Sequence, residues 1–261
     1  MADIIVKRQA ATPAQIAKMM FEGDPQITHR SIYRGKNLGT SLTDVQKAAI
    51  ANGTFDDLYV GDYWTINNRV YRIADIDYYI DTGDVPFTKH HLVIVPDASF
   101  GNGKMNNSNT TAGGYVGSLM YTDTTTPSVL NTARTTIATD FGDNLATHRL
   151  YFKNVVTSGY ESGGDWFDST VDLMSEIMVY GHRHYGNVIS NTAIPDRDDV
   201  ECRQLALFEL SPKNIHQGRY TYWLRDVVSS TTFAYVNGVG AATGTGASYS
   251  NGVRPFFLVV G

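Results

Sequence analysis

His91-Leu92-Val93-Ile94-Val95 runs through five positions without the polar alternation of a half-buried strand, and Pro96-Asp97 closes it. Such a run predicts a central strand covered on both faces. Just before it the period is two. Asp62-Tyr63-Trp64-Thr65-Ile66 and Arg69-Val70-Tyr71-Arg72-Ile73-Ala74 flank Asn67-Asn68, a good two-residue hairpin turn. After it, residues 203–208, 220–225, 233–237 and 253–258 read as short strands separated by turn signals, and the last of them pins the end of the sequence into a sheet.

Helical signals alternate with these strands. Thr12-Pro13 followed by Ile16, Met19 and Met20 predicts a helix that ends at Gly23-Asp24-Pro25. A second helix is expected from Thr43 to Ala51, with Val45, Ala48 and Ala49 on its apolar face and Asn52-Gly53 as its stop. A third fits Ser128 to Ala138. A fourth is capped by Asp168-Ser169-Thr170, carries Val171, Met174, Ile177 and Met178, and stops at Gly181. Residues 98–118 read as a long irregular loop, of the kind that is usually functional or mobile. The basic segment His29 to Lys36 reads either as an arm toward another subunit or as a solvated loop. The whole predicts an α+β protein with an N-terminal attachment or oligomerisation module over 1–54 and a mixed domain over 55–261.

Composition removes several function classes. One cysteine in 261 residues leaves no intrachain disulfide. A net charge of -5 argues against non-specific nucleic-acid binding. The longest apolar run, Phe256 to Val260, is strand-sized, so no membrane insertion is expected. Met1 to Arg8 lacks the layout of a secretory signal. Sixteen Tyr and 24 Gly among many Thr, Asn and Ser match the chemistry of recognition loops, and equally that of turn-rich β proteins.

Catalytic and metal constellations are weak. His90 and His91 are adjacent on a strand and face opposite ways, so they cannot jointly chelate one ion. His182 and His184 share a face only if that segment is extended, and they still need a third ligand. Asp75-Ile76-Asp77 and Asp81-Thr82-Gly83-Asp84 alternate like part of a calcium loop but lack its twelve-position pattern. Asp196, Asp198, Asp199 and Glu201 offer calcium ligands without a selecting spacing, and Asx turns and caps explain such clusters as well. Cys202 reads as a buried inert thiol. No nucleophile or phosphate-loop motif is present and no carboxylate pair stands out, so no catalytic residue, metal or cofactor is assigned. What remains is the Gly-rich stretch from Gly238 to Ala247 between aromatic strands, which reads as a display loop or as a plain hairpin excursion.

Tyr222-Trp223-Leu224-Arg225-Asp226, Phe233-Ala234-Tyr235-Val236-Asn237 and Gly252-Val253-Arg254-Pro255-Phe256-Phe257 resemble a domain of phage and prophage structural proteins from gut Gram-positive bacteria. So do residues 56–64, 89–97, 105–118 and 176–182, which extends the likeness over most of the chain from residue 28. The Trp-Leu-Arg and Gly-Val-Arg-Pro ends further resemble the C-type-lectin-like fold of phage tropism determinants and formylglycine-generating enzymes. The resemblance implies a C-type-lectin-like domain over 55–261, with Trp223, Arg225, Arg254 and Pro255 as framework and Asp226 as an acidic partner. It implies a ligand face made by Phe233, Tyr235, Asn237, Thr243, Thr245, Ser248, Tyr249 and Asn251. The copper chemistry of the enzyme branch needs paired cysteines, and only Cys202 exists here. The expected protein is therefore a virion component, made in the host cytoplasm and released on lysis, at a tail tip or on a fibre. Its expected partners are its own copies (a homotrimer), other virion proteins, and a host surface polysaccharide or protein. The alternatives are a head fibre or capsid decoration with a purely structural role, and a cellular lectin-like surface protein.

Overall fold

The run at His91 is a strand buried along its whole length in a computed structural model, which describes residues 25–155, 161–185 and 203–261. The strands in chain order are β1 (Tyr63–Ile66), β2 (Arg69–Ile76), β3 (His91–Pro96), β4 (Asn102–Lys104), β5 (Leu145–Ala146), β6 (His148–Val155) and β7 (Glu161–Ser169). They continue with β8 (Val171–Leu173), β9 (Tyr222–Val227), β10 (Thr232–Val236), β11 (Ala242–Gly246), β12 (Ser250–Gly252) and β13 (Pro255–Val260). The helices are α1 (Pro25–Arg30), α2 (Asp44–Ala51), α3 (Leu119–Thr122), α4 (Val129–Phe141), α5 (Glu176–Tyr180) and α6 (Ala206–Leu210). The fold is α+β, as the sequence predicts.

The main sheet has the order β1-β2-β3-β13-β5, with β8 also paired to β13. Asn67 and Asn68 turn β1 into β2 with φ of 48° and 63°, the left-handed pair that a tight hairpin needs. Along β3 and β13 successive side chains enter different cores. Leu92, Ile94, Phe257 and Val259 pack with Ala49 and Ile50 of α2 and with Ile137 and Phe141 of α4. Val93, Val95, Phe256 and Leu258 pack instead with Trp223, Phe233 and Val236 of the second sheet and with Met178 and Phe208. That second sheet has the order β11-β10-β9-β12-β4, and β6 with β7 forms a separate ribbon.

Several expectations change. The α2 helix lies where it is expected, with Thr43 as its cap and not its first residue, but Val45 and Ala48 are exposed and Ala49 and Ile50 are buried. The inward face is set by Gln46, whose Oε1 accepts from both the Thr43 N–H and the Trp64 indole. Residues 171–173 are strand, because β8 pairs with β13, and the helix starts later behind a Ser175 cap. Residues 206–210 are helix, with the Ala206 N–H held by an Asp75 carboxylate oxygen at 2.9 Å. The His29–Lys36 segment lies on its own chain. Arg34 grips Asp62 and Asp57, and the Lys36 ammonium also bonds Asp57. Residues 25–54 thus share cores and ion pairs with the rest, and the 54/55 boundary passes through packed structure. The helix expected from Thr12 to Gly23, the cluster Asp196 to Glu201 and Cys202 lie outside the described residues.

Two buried polar groups organise this interior. The Asp75 carboxylate accepts from Arg30 Nε at 2.9 Å, Arg203 Nη2 at 3.2 Å, the Ile76 N–H at 2.8 Å and the Ala206 N–H, joining α1, β2 and α6. The alternating aspartates thus serve as internal ties: the Asp77 Oδ1 likewise accepts the His91 N–H at 2.8 Å. His148 is the opposite case. It lies among Tyr79, Phe87 and Phe256, and neither ring nitrogen has a hydrogen-bond partner. Burial pushes its imidazole down to about 3 and also lowers that of His91.

Asp75→Ala should cost about 3 kcal/mol in urea unfolding, because it removes the acceptor of two backbone N–H groups and a carboxylate partner of two guanidinium groups. A loss under about 1 kcal/mol would contradict the tie. The histidines set an acid limb. Below about pH 6.5 the unfolded chain takes up protons that the folded chain refuses, so stability falls from there toward pH 3, at up to about 1.4 kcal/mol per pH unit for each group. His148→Phe should flatten that limb by roughly 2 kcal/mol between pH 7 and pH 4.5, and parallel curves for the two proteins would refute the assignment.

Candidate functional site

Strands β9 to β11 carry the residues that the sequence singles out. The β10–β11 pairing runs from Thr232↔Gly246 to Val236↔Ala242, so the Gly-rich stretch expected as a loop is largely a paired strand. Its glycines leave the strand thin. Partners across the ladder share a face, which groups Tyr235 with Thr243 and Phe233 with Thr245. On the other side Tyr235 pairs with Trp223, and their rings meet edge-on at 6.2 Å. Trp223 is fully buried, and its indole N–H donates to the Gly103 carbonyl at 2.8 Å. The site strands are therefore backed by a fixed aromatic layer.

The eight predicted ligand residues divide into three groups. Phe233 and Asn251 are buried and belong to the framework. Asn237 and Ser248 shape the loops. The Asn237 side chain accepts the Val239 and Ala241 N–H groups, both at 3.0 Å, and Ser248 gives its N–H and hydroxyl to Asn109 Oδ1 at 3.0 and 2.7 Å. Tyr235, Thr243 and Thr245 are half-buried on the strands, while Tyr249 is 61% exposed at the turn beyond β11. Asn237 and Ser248 are half-buried as well, so Tyr249 is the most exposed of the eight.

Sequence reasoning missed the supports. Within the 98–118 stretch, which reads as a functional or mobile loop, Asn109 clamps the Ser248 turn. Around it Asn106 N–H donates to Ala247 O, and Thr111 N–H to Ser230 O, so residues 105–111 brace the hairpin from outside. The β10–β11 turn is held from beneath by the Tyr180 hydroxyl, which donates to Gly240 O at 3.0 Å. Gly240 has a φ of +85°, and a side chain there would come within 2.9 Å of His216. Burial raises the Tyr180 and Tyr222 phenols above their ordinary range, so both remain donors. Asx-type pairings such as Asn109 to Ser248 span 139 residues and leave no local signal.

Of the expected framework residues, Trp223, Arg254 and Pro255 are buried, and Arg225 and Asp226 are half-buried. Arg225 donates to Leu173 O, Asp226 accepts the Glu176 N–H, and Arg254 is 2% exposed. His90 and His91 go to different partners, Asp77 Oδ2 and the Lys89 carbonyl. His182 and His184 lie with ring centroids 4.8 Å apart, and among the described residues no group of three metal-ligating side chains gathers. The face offers hydroxyls, a phenol and the open backbone edge of β11, which is binding chemistry. No family model matches the chain, and no curated protein or solved structure matches it.

Asn109→Ala removes two hydrogen bonds to Ser248, worth about 1–2 kcal/mol locally. Amide exchange at Ser248 should quicken by roughly tenfold while β3 and β13 keep their protection. Unchanged exchange at Ser248 would show that the clamp is not needed.

Proposed function

We propose that this chain is a bacteriophage virion protein, at a tail tip or on a fibre, that attaches to the host surface through a C-type-lectin-like face. The observation that carries the reading is the set of groups on the β10–β11 hairpin: Tyr235, Thr243 and Thr245 stand half-buried on the strands beside the buried Trp223 and Phe233, and Tyr249 is exposed at the turn beyond β11. Rigid aromatic and hydroxyl groups lose little conformational freedom when they bind, which favours sugar or protein contacts. The ligand on this reading is a surface polysaccharide or a surface protein.

A second reading rests on a separate observation. β11 is an edge strand among the described residues, whose ladders leave its outer backbone groups without a partner. Such an edge suits strand addition from a neighbouring copy or another virion protein, as in a homotrimer, a head fibre or a capsid decoration.

The test is binding of labelled protein to a panel of Gram-positive gut strains, beside Tyr249→Ala and Thr243→Arg. Strain-restricted binding that falls at least about tenfold in both variants, with Tm held, is expected. Binding to no strain by an oligomerised protein would favour the structural role, and binding that both variants retain would move the ligand face elsewhere.

A further inference from the structure

Short 3-10 turns at Pro212–Asn214 and Gln217–Arg219 bring Lys213, His216 and Arg219 opposite Tyr33 and Arg72, and these residues line a cleft of about 420 Å³. That size is ordinary for a small-ligand site. In a chain of net charge -5 the sign of this lining is a local reversal. Arg72 is neutralised: it holds Asp97 through Nε at 2.8 Å and Nη2 at 2.5 Å, and gives Nη1 to Gly61 O. Lys213 and Arg219 are different. Both are exposed, and neither has an ion-pair partner among the described residues. The Lys213 ammonium stands 5.9 Å from the centre of the Tyr33 ring.

A third positive charge lies underneath. Arg254 donates from Nη1 to Asn214 O and from Nε to Pro96 O, both at 2.8 Å, and among the described residues its Nη2 has no hydrogen-bond partner and it forms no ion pair. A buried charge is screened less than an exposed one, so its field adds to that of Lys213 and Arg219 at the cleft above. The backbone also carries strain at this point. Arg219 is held at a φ of 58°, a left-handed conformation uncommon for a residue with a side chain, directly after Gly218 at 76°. Cations on one wall and a phenol on the other suit an oxyanion, and a tetrahedral phosphate offers acceptor oxygens to both walls where a carboxylate offers only two in one plane.

We infer that the Tyr33–Arg72–Lys213–Arg219 cleft is an anion site that takes a phosphate group. Lys213 and Arg219 supply the mobile charges, and Arg254 supplies the buried field. The inference is independent of host attachment by β10 and β11. The phosphate comes either free or on a phosphodiester chain.

Titration with inorganic phosphate at constant ionic strength, followed by amide chemical shifts, tests it. Saturable shifts confined to residues 213–219, Tyr33 and Arg72 are expected, with a Kd of about 1 mM or tighter. The Lys213→Gln/Arg219→Gln double variant, whose two sites are exposed, should keep its Tm in chloride and bind at least about tenfold more weakly. A poly(glycerol phosphate) arm distinguishes the source: tighter binding per phosphate than the free ion indicates a polymer, and equal binding a free anion. Scattered shifts, affinity unchanged in the double variant, or preference for glucuronate over phosphate would each overturn the assignment.

Discussion

Residues 250–260 belong to both sheets. Ser250–Gly252 closes the second sheet between β9 and β4, and three residues later Pro255–Val260 is the centre of the first. The chain crosses between them at Val253-Arg254, and that crossing is pinned by a buried guanidinium bonded to carbonyls at the end of β3 and in the 212–214 turn. The rings of Phe208 and Tyr222 lie 5.6 and 5.3 Å from it. Burying a cation is costly unless its donors are engaged, and bonds from a charged donor are stronger than neutral ones. The arrangement therefore selects one geometry for the crossing, and with it the relation of the second sheet to the first.

The same economy explains what surrounds it. Asp75 holds α1 and α6 against β2 as Arg254 holds the 212–214 turn against β3. Each single buried charge serves several backbone and side-chain partners. The Asn237–Ala241 turn that joins β10 to β11 packs against the residues of the cationic cleft, since Gly240 abuts His216 and a side chain on Gly238 would come within 2.9 Å of Arg219 O.

The strands were legible where the pattern was local. The run at His91, the Asn67-Asn68 hairpin and the aromatic strands at Tyr222 and Phe233 each carry their signal within ten residues. The helices that begin next to Thr43 and Ser128 were legible for the same reason. Misreadings arose where distant partners decide. Val171 to Leu173 follows β13 into the sheet, and residues 206–210 become helix under the Asp75 carboxylate. The Gly-rich stretch lacked strand-forming side chains, yet β10 supplies its ladder. Of the candidate site, the display residues were visible in composition. Their clamps, Asn109 and Tyr180, were not, because each acts on a residue at least 60 positions away.

Native-state hydrogen exchange across both sheets tests the central claim most directly, that the 250–260 crossing makes two sheets one cooperative unit. The account predicts that amides of β3, β13 and β9 exchange in the slowest class, with one common opening free energy. If β9 and β10 opened together while β3 and β13 stayed closed, at a cost lower by more than about 2 kcal/mol, the sheets would be separate units and the account would be wrong.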